Sequence, residues 1–356
     1  MHIMNAMRTI HTMLLMSRFG WSKSRSHISC TDFILHHFTE AVDRCPPSIS
    51  IDLDPIRSYE DGSFRGLILR VFVDCLDFLD SDELNDFQMM IIEDKLSYIL
   101  EPLAIDINEL KIESIDYCKN VVIENPAHRQ LYMELWGKTF KQFNGATRIF
   151  EKNRKPTLKS LKKSKKSKKS KKPKEVSRTA NTLYWKCKDW YNVQLYDKET
   201  ERKDKGKPIR SYERGVIRLE YQIRTEHIKY WKKLGRPRDF DTWTDGDLRA
   251  KYLSETERLF FRGDFYSLPC AKTRLNKAVR AGTITQTLAD NIYQFMVDIS
   301  RSDMDYAVGK RSQTTAKKYI EILSEIGVNP IPIPKNKGIS FLENPFGDFY
   351  KGGCKS

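Results

Sequence analysis

Val216-Ile217-Arg218-Leu219-Glu220-Tyr221-Gln222-Ile223-Arg224 carries the plainest alternation in the chain. Successive residues of an extended strand point to opposite faces. Ile217, Leu219, Tyr221 and Ile223 then form one apolar face, suited to packing under helices. Arg218, Glu220, Gln222 and Arg224 form the other. The segment therefore predicts a strand of an antiparallel sheet with one packed and one open side. A carboxylate between two arginines on an open face suits phosphate or metal binding. It is also what an ordinary solvated strand face presents.

Working outward, Glu226–Leu234 reads as a helix stopped by Gly235, with Pro237 close behind. Residues from Asp245 to about Ile326 have mostly helical patterning, and 329–356 form a Pro/Gly-rich tail. Upstream, Thr182–Lys186 and Val193–Lys198 read as two strands joined by a turn near Asp189, and Glu199–Lys207 as a charged connection. Ile112–Ile123 reads as a strand closed by Glu124-Asn125-Pro126, with a helix over Ala127–Gln142. Gly66–Cys75 reads as a strand and Asp82–Leu100 as an amphipathic helix. Residues 1–60 form a poorly patterned leader with one helical candidate, Thr31–Val42. This order predicts an α+β fold: a mainly antiparallel sheet with helices packed on one face, followed by a helical C-terminal region. The α+β domain would span 61–244, interrupted at 155–178, and the helical region 245–328.

The interruption is compositional. Lys159–Lys174 holds ten lysines spaced by serines, and without them the formal charge falls from +15 to about +5. Like charges this dense cannot bury a core, so the tract is expected to be disordered in isolation. A pI near 9.3 favours a polyanionic partner. No run approaches the ~20 apolar residues of a membrane helix, so no membrane partner is expected. The seven cysteines are widely spaced without Cys-x-x-Cys, which argues against a disulfide framework or zinc ribbon and for a reducing cytoplasm.

Two further segments carry candidate chemistry. On the Ile112–Ile123 strand, Ser114, Asp116, Cys118 and Asn120 share one face. Asp116 is a lone acid among small side chains, which leaves room for a hydrated magnesium or for nothing more than a surface aspartate. On the second, Gln194, Tyr196 and Lys198 share a face if the chain is extended. With sixteen tyrosines in the chain, one beside a lysine is weak on its own.

Taken in order, these segments resemble the gene II replication proteins of filamentous phages and related plasmid initiators. The residues that carry the likeness are Leu110-Lys111-Ile112-Glu113-Ser114-Ile115-Asp116, Leu195-Tyr196-Asp197-Lys198-Glu199-Thr200-Glu201, Gly215-Val216-Ile217-Arg218-Leu219-Glu220 and Leu234-Gly235-Arg236-Pro237. They span about Glu109 to Thr244. The family's usual arginine before Ile-Asp is Ser114 here, and no His-hydrophobe-His pair occurs anywhere.

The resemblance implies a rolling-circle replication initiator, an endonuclease and strand transferase of the bacterial host cytoplasm. It would nick one strand of origin DNA, supercoiled or single-stranded, through a 5′-phosphotyrosine, freeing a 3′-OH primer for host helicase and polymerase. It implies Tyr196 as nucleophile, Lys198 beside the attacked phosphate, and Asp116 and Glu220 holding Mg2+ or Mn2+. Arg218, Arg224 and Lys229 would hold phosphates. Lys162, Lys163, Lys165, Lys166, Lys168 and Lys169 of the tract would bind DNA without sequence preference. Trp185 and Trp190 are candidates to stack on unpaired bases, or simply core aromatics. A free tyrosine is only roughly 0.1% ionised at pH 7, so a nearby lysine or metal is expected to favour the phenolate. The competing reading is a non-catalytic basic DNA- or RNA-binding protein with a flexible lysine-rich arm.

Overall fold

The structure, a computed structural model, describes residues 7–20, 25–57, 60, 62, 64–81, 84–143, 146–150, 182–187 and 190–346. In chain order, the first half has β1 (Met7–Gly20), α1 (Arg25–Asp43), β2 (Ile49–Arg57), β3 (Phe64–Asp74), α2 (Cys75–Leu79), α3 (Asp86–Leu100), β4 (Lys111–Val122), α4 (Pro126–Trp136), β5 (Gln142–Phe143) and β6 (Ala146–Phe150). The second half has β7 (Thr182–Cys187), β8 (Tyr191–Asp197), α5 (Lys198–Asp204), β9 (Val216–Ile223), α6 (Thr225–Lys233), α7 (Phe240–Thr244), α8 (Gly246–Glu257), β10 (Phe265–Tyr266), α9 (Leu268–Arg280), α10 (Gln286–Arg301), α11 (Met304–Gly309), α12 (Gln313–Glu325) and β11 (Phe341–Leu342).

Among the described residues, nine strands make one sheet in the order β2-β3-β1-β4-β9-β8-β7-β6-β5. Every neighbouring pair is antiparallel. The expected α+β class therefore holds. One sheet face is apolar and carries the longer helices. Ile115, Tyr117, Val121, Ile217, Leu219, Tyr221, Ile223, Val193 and Leu195 share it by register. Tyr117 donates to the Trp243 carbonyl of α7 at 2.6 Å. Tyr221 stacks on Tyr191 and touches Tyr252 of α8. Burying one such large side chain contributes about 1.5–3 kcal/mol.

The local signals explain most boundaries. Asn85 and Gln88 form a reciprocal capping box that starts α3 at Asp86 rather than Asp82. Asn125 caps α4 with Pro126 in its first turn, so the predicted stop of β4 is also a helix start. Gly235 sits at φ +92, a conformation that side chains rarely adopt, and ends α6 where the sequence predicted.

Three expectations need correction. Residues 1–60 are not merely a poorly patterned leader: β1 pairs with both β3 and β4 in the middle of the sheet, and β2 forms its edge. The segment 329–346 is not a loose tail, because Ile331, Ile333, Leu342 and Phe346 are buried and β11 pairs with β10. Its prolines and glycines shape an irregular path through a packed site rather than a free end. Third, the helical region and the sheet share one core, running from Ile34 to Phe346, in which Trp136 of α4 meets Phe260 and Phe346. The tract at 155–178 lies outside the described residues.

Candidate active site

Register alone brings the sequence-predicted residues together. Arg218 faces Asn120 on one side and Tyr196 on the other; Glu220 faces Cys118 and Gln194; Gln222 faces Asp116 and Asn192. All lie on the second face of β4, β9 and β8. Asp116 and Glu220 are diagonal neighbours there, a relation of about 7–8 Å between backbones.

This face is not open, contrary to expectation. Arg218 is 1%, Glu220 3% and Tyr196 5% exposed, and every residue of β9 is buried. Charged groups from short elements supply the counter-charges that make such burial tolerable. Lys198, the first residue of α5, lies 3.2 Å from Glu201 and 3.7 Å from Glu213. Arg202 grips both oxygens of Glu213 at 2.7 and 2.8 Å and reaches Asp77 of α2 at 3.4 Å. The predicted charged connection is thus a helix capped by Asp197, whose side chain accepts from the Thr200 N–H.

The Tyr196 hydroxyl donates to Glu220 Oε1 at 2.5 Å. Burial, followed by the Glu220 charge, holds the phenol well above its ordinary pKa. The expected phenolate-favouring environment is therefore reversed: the tyrosine is a protonated donor with a carboxylate acceptor in reach. Lys198 does not sit at the phenol oxygen. Its ammonium lies 5.6 Å from the centre of the Tyr196 ring. Burial, then Arg218, lowers its pKa. Arg218 keeps its charge: burial opposes it, but nearby groups that include the Glu220 and Glu213 carboxylates more than offset that. The Cys118 thiol, opposite Glu220, is pushed up to about 12 by burial, which leaves it neutral.

Arg218 Nε donates to Asn120 Oδ1 at 2.8 Å. Arg218 Nη2 and Asn120 Nδ2 are buried with no hydrogen-bond acceptor. Gln222 donates to Asp116 Oδ2 at 3.2 Å and accepts from Arg224 Nη2 at 2.5 Å, linking Arg224 to the same row.

The expected Mg2+ or Mn2+ can be tested against this donor set. Asp116 and Glu220 supply hard oxygens of the kind magnesium takes. Each already accepts a hydrogen bond from a neighbour, Gln222 and Tyr196 respectively. The unsatisfied atoms beside them are N–H donors, and a guanidinium flanks Glu220. Among the described residues, no group of three His, Cys, Asp or Glu side chains is placed to hold a metal ion. As arranged, the pair does not fit a resident divalent cation, and two N–H groups near it, Arg218 Nη2 and Asn120 Nδ2, lack an acceptor.

Other predicted residues fall elsewhere. Lys229 is on α6, which packs with the helices of the apolar face, and it pairs with Glu226 at 2.8 Å. Trp185 is fully buried, its indole N–H donating to the Phe140 carbonyl at 3.1 Å, so it is a core residue. Trp190 is 40% exposed and packs against exposed Tyr230, ring centres 5.3 Å apart. Lys162, Lys163, Lys165, Lys166, Lys168 and Lys169 lie outside the described residues. Sequence reading missed Glu201 and Glu213 as the partners of Lys198. Nothing in a string of charged residues indicated which acid folds back.

The chain matches no protein-family model and no curated protein. The likeness to gene II-type proteins rests on the quoted residues. Among the described residues, no helix is long and apolar enough to cross a membrane.

Proposed function

We propose that the chain nicks and rejoins one DNA strand, with Tyr196 as nucleophile, as a rolling-circle initiator does. The observation that carries the reading is the 2.5 Å hydrogen bond from Tyr196 to Glu220, on a face shared with Arg218 and Asp116. These residues lie far apart in sequence, and proton transfer needs this proximity between acid and base.

Glu220 takes the phenol proton as Tyr196 Oη attacks phosphorus. The bond from phosphorus to the 3′ oxygen breaks, and that oxygen leaves with the proton returned by Glu220. The 5′ phosphate stays on Tyr196, and reversal by a free 3′-OH reseals the strand without an external energy source. A general base of this kind contributes about 10²–10⁴-fold and removes the need for a preformed phenolate. Arg218 counters the charge that grows on the phosphoryl oxygens. The expected Mg2+ or Mn2+ carries no step here. The lysine tract and Arg224 add affinity for the DNA backbone.

One observation favours the second reading, a non-catalytic basic DNA- or RNA-binding protein: Tyr196 is buried and held protonated. A backbone phosphate reaches it only when the covering side chains part. Tyr196→Phe separates the readings. Nicking lost with DNA binding kept supports the first. A wild-type protein that binds DNA but cuts none, with or without Mg2+ or Mn2+, supports the second.

A further inference from the structure

We infer that Arg218 and Asn120 form a phosphate seat, a pair of buried donors that takes the non-bridging oxygens of a phosphodiester beside Tyr196. It deepens the nicking reading and rests on it for the identity of the phosphate's owner. Arg218 and Asn120 are cross-strand partners on β9 and β4, and Tyr196 is the partner of Arg218 on its other side. Both side chains are buried, at 1% and 3% exposure. One bond, Arg218 Nε to Asn120 Oδ1, fixes the guanidinium and the amide relative to each other. That bond uses the only acceptor the amide has. It leaves Arg218 Nη2 and Asn120 Nδ2 as neighbouring N–H groups without acceptors.

Buried donors are almost always paired in folded proteins, and an orphan of this kind calls for an explanation. Two on adjacent strands, one of them cationic, ask for the same thing: an oxygen acceptor carrying negative charge. Glu220 and Glu213 lend Arg218 charge from nearby, yet neither bonds its Nη2: Glu220 accepts from Tyr196 and Glu213 from Arg202, while Asp116 is bonded to Gln222. A phosphoryl group offers several acceptors in the geometry guanidinium prefers. Seated there, its phosphorus lies beside the strand position of Tyr196, and the tyrosine is released from Glu220 as its proton moves.

The test uses the full chain and inorganic phosphate, titrated at constant ionic strength against chloride, with the thermal midpoint and the phosphorus NMR line width as readouts. Wild type and Tyr196→Phe should both show a saturable response. Asn120→Asp places a carboxylate against Arg218, which satisfies the guanidinium and closes the seat; its response should weaken about tenfold or more while the fold is kept. Arg218→Met, apolar and similar in length, should lose the response too, and it covers the case in which Asn120→Asp does not fold. Affinity in either folded variant within about twofold of wild type overturns the seat. So does a wild-type protein with no saturable response. Because the readout needs no cleavage, the two proposals fail separately. Phosphate binding without DNA nicking sinks the nickase reading alone; nicking with unchanged phosphate affinity in Asn120→Asp sinks the seat alone.

Discussion

Tyr196 stands directly opposite Arg218 across the β8–β9 ladder, and its hydroxyl reaches past that partner to Glu220. The phenol therefore sits between a fixed cation and a fixed carboxylate. Burial and the neighbouring carboxylate keep the proton on the phenol, and the Arg218 charge opposes them in part.

Glu220→Gln keeps the shape and leaves an amide in place of the base. Strand cleavage should fall by about 10²–10⁴-fold, while affinity for the same DNA changes little. Single-turnover cleavage and a filter-binding isotherm on the same oligonucleotide check both halves. A variant that cuts at the wild-type rate would remove Glu220 from the mechanism.

His227 accepts from the Trp231 indole at 2.8 Å, lies 2.8 Å from the Tyr252 hydroxyl, and burial pushes its pKa down to about 4. A depressed folded pKa favours the neutral ring in the fold. The stability it brings is present above the unfolded value near 6.5 and is lost as pH falls from there toward 4. Urea midpoints should decline across that window, and His227→Gln should flatten the decline. An NMR titration that places the imidazole midpoint near 6.5 would contradict the burial argument.

Phe346 stacks on Phe260 with ring centres 4.8 Å apart and meets Trp136 at 5.1 Å. Phe346→Ala should cost about 3–5 kcal/mol in chemical unfolding, a core-sized effect from a residue close to the C-terminus. A loss below about 1 kcal/mol would mean that the segment from Asn329 to Phe346 is an appendage after all.

The sheet's central strands were legible because period-two alternation survives in β9 and β4, and the stops at Glu124-Asn125-Pro126 and Gly235 were legible because backbone geometry dictates those residues. Alternation put Arg218, Glu220 and Gln222 on one side of β9 and Asp116, Cys118 and Asn120 on one side of β4, and register joins the two sides; their burial was not legible. Alternation says which residues share a face, while cover comes from α5 and α2, whose charges pair only after folding. Lys198 illustrates the limit: its position beside Tyr196 is local, but its hold by Glu213 depends on a turn fifteen residues away. The role of β1 was hidden for a similar reason, since its partners, β3 and β4, lie far downstream.

The most direct measurement is incubation of the purified full chain with labelled single-stranded DNA, with and without Mg2+ or Mn2+. A denaturing gel and mass mapping of the retained peptide follow. The account predicts a covalent adduct on Tyr196, absent from Tyr196→Phe, with a free 3′ hydroxyl on the released fragment. Cleavage without any adduct, or an adduct mapped to another side chain, would contradict it.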